Sequence, residues 1–186
     1  MGQGVKERIL EAAEKLFFER GYEATGIRDI AAAAGVNSAM IHYYFGGKRN
    51  LYKELLSSHL DVLASQISRI EAEDEREFIK RFMRLHIEIL RKRGPRLAVI
   101  MMRELSAKTE VGKELFDGFM ADLGEVLGRV ISSGKEKGFF RRDLLDRLIL
   151  VFLIHVDALL AIRFPEVDLD EAVELAYTLF MNGVGE

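Results

Sequence analysis

Apolar side chains recur three and four positions apart along almost the whole chain, and the two-residue alternation of a half-buried strand is absent. This spacing predicts an all-α protein of about nine helices. Ile9, Ala13, Leu16 and Phe17 share one face of a first helix, closed by Arg20-Gly21. A short second helix follows Gly26, carries Ile30 to Ala34 and breaks at Gly35-Val36. Asn37 is suited to cap a third, over 38–44, through its side-chain oxygen. Phe45-Gly46-Gly47 ends that one, and Lys48 opens a longer helix through Leu51, Leu55, Leu60 and Leu63.

The acidic run 71–77 reads as a loop feeding a helix N-terminus, where negative charge is favoured. That fifth helix reaches Arg91-Lys92-Arg93 and stops at Gly94-Pro95; segments 96–107 and 112–138 supply the next two. Segment 142–163 is apolar nearly all round, and a helix without a polar face must be covered on every side. One side can meet the interior and the other a second copy of the chain. Pro165 ends it, and 168–184 forms the last helix. A homodimer through these two helices is therefore expected, with Phe152, Leu153, Val156, Leu160, Val173, Tyr177 and Phe180 as candidate interface residues.

Composition narrows the picture. With 186 residues and 49% apolar content the chain can bury a substantial core. It has no cysteine, which removes disulfides and thiolate metal sites from consideration. The N-terminus lacks the apolar run of a signal peptide, and 148–162 is interrupted by His155 and Asp157 and too short to span a bilayer. A cytoplasmic protein with no membrane partner is expected. The net charge of −3 argues against a nucleic-acid partner only until its distribution is read. Residues 1–60 carry 8 Lys+Arg against 7 Asp+Glu, leaving 19 against 23 for the rest. Between Ile27 and Lys53 the cations Arg28, Lys48, Arg49 and Lys53 face only Asp29. An acidic body with one basic edge can hold a polyanion in a fixed orientation.

That edge coincides with two short helices joined at Gly35-Val36 and braced by a longer helix before them, the arrangement of a helix-turn-helix unit. Ile41 and Phe45, four apart, turn inward with Val36 and Ile30. Ser38, Ala39, His42 and Tyr43 are left facing out, a set of donors, acceptors and flat rings suited to base edges; Ala39 suits a thymine methyl. Arg28, and Lys48 with the unpaired amides opening the fourth helix, suit phosphates.

Here the chain resembles the TetR family of transcriptional regulators. The resemblance covers Arg8 to about Leu55 and rests on Ile9-Leu10-Glu11-Ala12-Ala13, Leu16-Phe17, Gly21-Tyr22, the run Thr25 to Ala31, Ala34-Gly35-Val36 and the run Ile41 to Tyr52. It implies that Arg28, Ser38, Ala39, Met40, His42, Tyr43, Tyr44 and Lys48 approach double-stranded DNA, beside the capping Asn37. It also implies that 138–144, the greasy helix after it and the last helix form the dimer interface. Three positions depart from the family pattern. Gly26 stands for a capping Ser or Thr, Met40 for a Thr or Ser, and His42 for a Tyr.

Other motifs carry less. Gly46-Gly47-Lys48 lacks the upstream glycine and following hydroxyl of a phosphate loop. Arg91-Lys92-Arg93 suits a helix C-terminus. No two histidines stand at metal-ligand spacing, so no metal or other cofactor is expected. Phe82, Met83, Met101, Met102, Phe116, Phe119 and Met120 are core-like residues that also suit an adaptable pocket wall, with His86 and His155 as polar handles for an apolar effector. The expectation is a DNA-binding head over residues 1–50 and a ligand-binding and dimerisation body over 51–186. As a homodimeric repressor it would bind a palindromic operator and be released by the effector. A helix-turn-helix protein without an inducer is the first alternative, and a small helical enzyme using His86, His155 and Asp157 the second.

Overall fold

The computed structural model describes residues 4–107 and 109–185, and among them are nine helices: α1 Val5–Arg20, α2 Ile27–Ala34, α3 Ser38–Phe45, α4 Lys48–Ile67, α5 Glu75–Arg93, α6 Pro95–Ala107, α7 Glu110–Glu136, α8 Asp146–Arg163 and α9 Leu169–Val184. No strand occurs among these residues; one isolated bridge joins Phe140 to Gly185. The all-α architecture is as the sequence pattern predicts.

Local chemistry sets most of the boundaries. Pro95 opens α6, where its fixed φ suits the first turn and its missing N–H removes no helical bond. Asp74 caps α5 by accepting from Glu77 N at 2.8 Å, so the acidic run 71–77 is half cap and half first turn. The eighth helix begins four residues later than the hydrophobic run suggests. Arg141 N donates to Val184 O at 2.8 Å, holding 140–141 against the end of α9 in extended form.

The helices gather into two compact units, Met1–Leu60 with Arg96–Phe116 and Asp61–Pro95 with Asp117–Glu186. The first unit is built on one core: Ile9, Ala13 and Phe17 of α1, Ile30 of α2, Ile41 and Phe45 of α3, and Leu51 and Leu55 of α4. Leu97 and Ile100 of α6 and Val111 of α7 complete it. Nothing in the sequence assigns α6 to this unit. Leu97 and Ile100 place α6 in this core, and the Tyr52 hydroxyl, donating to Glu104 at 2.6 Å, ties α4 to it.

The second unit packs α5, α8 and α9 on one another. Ile79, Phe82, Met83 and Ile87 of α5 are buried, as are Ile149 and Leu153 of α8 and Val173, Ala176 and Phe180 of α9. Phe152 stacks on Phe180 with centroids 6.0 Å apart. Gly183 permits this packing, because a Cβ there would stand 2.5 Å from the Phe152 ring.

Five of the expected interface residues, Leu153, Val156, Leu160, Val173 and Phe180, are buried within their own protomer. Phe152 and Tyr177 are half-buried. The apolar surface left uncovered is instead Leu148, Val151 and Leu159 on α8 with Leu175 and Leu179 on α9. This corrects the register of the expected interface. Because α8 is apolar nearly all round, its wheel cannot tell core from outside, and the acidic side chain in the middle of the helix, which should mark the outside, does the reverse. Asp157 is fully buried, paired with His86.

Candidate nucleic-acid interface

The turn between α2 and α3 is fixed by three local devices. Gly35 takes the left-handed conformation, φ 64° and ψ 40°, which a residue with a Cβ adopts only at a cost. Its N–H and that of Val36 return to the Ala31 and Ala32 carbonyls. Asn37 Oδ1 then accepts from Ala39 N at 2.9 Å and starts α3. Gly46, at φ 72°, closes α3 by donating to His42 O at 2.8 Å. The axis of α3 is thereby set by its own sequence before any partner touches it.

Within α3, Ile41 and Phe45 are buried and the rest separate by depth. Tyr43 is 79% exposed, far more than a packed tyrosine, and Tyr44 meets it edge to face at 5.0 Å. Ala39 and His42 are also exposed, and Ser38 is half-buried. Met40, named above among the DNA candidates, leans on the core of its unit instead of standing free. Arg28 is exposed on the first turn of α2. An outward row of Tyr43, His42, Ala39 and Ser38 on a helix held rigidly at both ends is a shape that fits a major groove.

Lys48 has a role the sequence does not disclose. Its Nζ donates to Tyr22 O at 2.8 Å and Thr25 O at 3.0 Å, and it lies 4.2 Å over the Tyr22 ring. Thr25, itself buried, donates through Oγ1 to Gly21 O at 2.7 Å and Leu16 O at 3.2 Å. Together they knot the α1–α2 connection to the start of α4. Two of the ammonium's three N–H groups are used in this way. Arg49 and Lys53 share Glu114, and Lys6 meets Glu54 at 2.7 Å. Such exposed pairs are worth about 0–1 kcal/mol.

Gly26 begins α2 in extended backbone, φ −93°, and its N–H donates to Asp29 Oδ2 at 3.1 Å. Half of a capping box is present and the hydroxyl half is missing. Gly26→Ser is expected to raise the melting temperature by the equivalent of a few tenths of a kcal/mol. The new Cβ would stand 3.0 Å from Asp29 Oδ2, the end of a flexible side chain that can yield. Differential scanning calorimetry checks this; an unchanged or lower melting temperature would mean that crowding Asp29 costs as much as the new cap gives.

The remaining candidates divide between the units. Phe82, Met83 and His86 are buried on α5 in the second, while Met101 packs against the core of the first and Met102 is half-buried. The side chains of Phe116, Phe119 and Met120 lie outside the described residues. His86 Nδ1 meets Asp157 Oδ2 at 3.2 Å, with Phe82 stacked on the imidazole at 5.7 Å. Burial raises the Asp157 carboxyl above the usual carboxylate range, and the bond from His86 opposes that shift. Asp157 Oδ1 is buried and has no hydrogen-bond partner among the described residues. His155 stands elsewhere, its ring Nδ1 donating to Val151 O at 2.7 Å beside a shallow apolar depression of about 360 Å³. The enzyme alternative needs His86, His155 and Asp157 together, and only two of them meet. Among the described residues no three His, Cys, Asp or Glu side chains form a metal-holding group, and no helix is long and apolar enough to cross a membrane.

Residues 9–55 match the family model described as bacterial regulatory proteins, tetR family. The transcriptional repressor KstR2 of Rhodococcus jostii (strain RHA1) is 30% identical over 156 residues, covering 81% of this chain and 74% of that protein. The probable transcriptional regulator YttP of Bacillus subtilis (strain 168) is 25% identical over 173 residues, 88% of this chain and 79% of that one. Among solved structures, the ketosteroid transcriptional regulator KstR2 of Mycobacterium tuberculosis superposes with a TM-score of 0.76 at 23% identity, covering 100% of this chain and 97% of that chain. The fatty acid degradation regulator FadR of Bacillus halodurans gives 0.70 at 26% identity, covering 97% and 96%.

Proposed function

This chain belongs to the TetR family of helix-turn-helix transcriptional regulators, and from that premise we propose that it is a homodimeric repressor that binds a palindromic operator and is released by a small apolar effector. The observation that carries the DNA-binding half is the division of α3 into a buried edge, Ile41 and Phe45, and a free edge crowned by Tyr43. A two-fold dimer presents two such helices related by one axis, and its site must share that symmetry. Arg28, Asn37, Ser38, Ala39, His42, Tyr43, Tyr44 and the spare N–H of Lys48 are the proposed contacts, with residues 1–50 as the part that meets DNA.

For the effector, the neighbours described as a ketosteroid transcriptional regulator and a fatty acid degradation regulator support an apolar molecule. Within this chain the supporting feature is the buried His86–Asp157 pair, whose orphaned Oδ1 offers an acceptor to a donor group in otherwise apolar surroundings. Helix α4 runs unbroken from Lys48 to Ile67, so a shift at its far end reaches the knot beside α2. A transcription factor that uses no effector remains the second reading, and a diverse apolar library with no influence on operator affinity would select it.

Selection of genomic fragments by the purified protein is expected to return a palindrome. Tyr43→Ala should then cost about 1–3 kcal/mol on that sequence, roughly 5- to 150-fold in Kd, and level the preference between good and poor sites. Arg28→Ala should weaken all sequences alike and lower the slope of log K against log salt by about 1. Asymmetric or random selected sequences would remove the operator-binding assignment.

A further inference from the structure

The first unit contains a cavity of about 680 Å³ that borders the end of α1, the α1–α2 connection, α4, α6 and the start of α7. We propose that this cavity is a binding site for a small organic cation, held by the Glu104 carboxylate among the rings of Phe17, Tyr22 and Tyr52. It is separate from the apolar effector proposed above and involves none of the residues invoked for it.

The charged lining residues are Arg20, Glu23, Arg49, Arg103, Glu104 and Glu110, and of these only Glu104 is buried. Tyr52 donates its hydroxyl to Glu104 Oε1 at 2.6 Å, and Thr109 donates to Oε2. Both donors are neutral, and among the described residues Glu104 has no ion pair. Thr109 also accepts from Gly112 N at 2.9 Å, so the positive end of α7 offsets part of the charge. A carboxylate has about four lone-pair positions, and two are used here. A buried anion satisfied only by neutral donors remains electrostatically unpaired, and an adjoining cavity is where its cation would sit. Phe17, Tyr22 and Tyr52 cluster with centroids 4.7 to 5.9 Å apart. Their electron-rich rings favour the same sign of charge, as Lys48 over Tyr22 already demonstrates.

The three guanidiniums suggest the opposite occupant, an anion, and the choice rests on depth. Arg20, Arg49 and Arg103 are all exposed, so water and salt screen them at the mouth. Arg49 is paired with Glu114, Arg103 donates to Phe18 O at 2.6 Å, and Glu23 and Glu110 stand among them. The screened mouth is close to neutral, while the unscreened floor is negative. Charge in the less polarisable place decides the sign of the ligand.

Glu104 joins three helices at one carboxylate: α4 through Tyr52, α6 from which it springs, and α7 through Thr109. Burial first, and the bond to Glu104 second, push the Tyr52 phenol far above its ordinary value, so it stays a donor at every physiological pH. A cation that claims Glu104 loosens the hold on α4, whose first turn carries Lys48. Lower operator affinity in its presence is the consequence, and only that consequence rests on the operator-binding reading.

The test titrates benzamidine, as its cation, into the full chain by isothermal calorimetry, with benzoate as a probe of the same shape and opposite charge. Saturable binding of one benzamidinium per protomer is expected, at least about tenfold tighter than benzoate and weakened about tenfold or more by Glu104→Gln. Tyr52→Phe keeps the ring and frees a lone pair, so it should bind benzamidinium at least as tightly. Tighter benzoate binding would give the cavity to the guanidiniums and overturn the proposal, as would no saturable binding to 10 mM, on the order of the weakest affinity that calorimetry reads. Full binding by a folded Glu104→Gln protein would overturn it too. Should that variant fail to fold, judged by circular dichroism, loss of binding in Tyr52→Phe is the outcome that sinks the assignment. None of these readouts uses DNA.

Discussion

Leu159→Arg should leave the protomer folded and convert a dimer into a monomer. Leu159 is 53% exposed on α8, on the same side as Leu148 and Val151, and the neighbouring α9 adds exposed Leu175 and Leu179. Five exposed large aliphatic side chains on two helices packed against each other are more than a monomer ordinarily leaves in water. A two-fold axis brings each such face against its own copy, so one substitution places two unpaired charges in one interface. Each buried, unpartnered charge costs about 3–5 kcal/mol, enough to dissociate a micromolar dimer. Sedimentation equilibrium at micromolar concentration should report a monomer with native circular dichroism, and operator affinity should fall with the loss of the second recognition helix. Leu153→Arg is the informative contrast, since Leu153 lies inside the protomer and its replacement should unfold the second unit. A Leu159→Arg protein that still sediments as a dimer would place the interface on another surface.

The second large effect is expected at His86. His86→Leu keeps roughly the volume of the ring and strips Asp157 of its partner at a site with 0% exposure. Removing one member of a buried pair leaves the other uncompensated, at a cost of about 3–5 kcal/mol. For a chain of this size that corresponds to a fall of roughly 6–20 °C in melting temperature, measured at fixed protein concentration. The double change His86→Leu with Asp157→Leu should recover most of the loss, because an apolar pair of similar volume pays no desolvation penalty. Calorimetry on the wild type, both single variants and the double variant gives the coupling directly. Additive losses would mean that the 3.2 Å contact contributes nothing beyond packing, and that Asp157 is satisfied by something other than His86.

What could be read along the chain was what depends on neighbours in the chain. Gly35 and Gly46 mark both ends of α3 because a left-handed residue is costly with a Cβ. Asn37 caps it because its side chain reaches an amide two residues on. The apolar positions Ile9, Phe17, Ile30, Ile41 and Phe45 repeat at helical intervals and meet in one core. The helix-turn-helix unit and its free edge were therefore legible from residues 9–55 alone, the segment that the family model also matches.

Tertiary structure decided everything that depends on which distant segment supplies the cover. Segment 142–163 is apolar on nearly all sides, so its sequence could not choose a core face, and buried Asp157 reversed the usual inference that polar means outside. The choice fell to His86, 71 residues away, whose ring offers the only partner described for that carboxylate. Lys48 reads as a phosphate ligand alone until Tyr22 O and Thr25 O are seen to take two of its three N–H groups. No sequence motif marks Glu104, which Tyr52 and Thr109, 52 and 5 residues away, hold in place. In each case a polar group was drawn inward because a partner remote in sequence satisfied it there, and periodicity within one helix carries no information about such a partner.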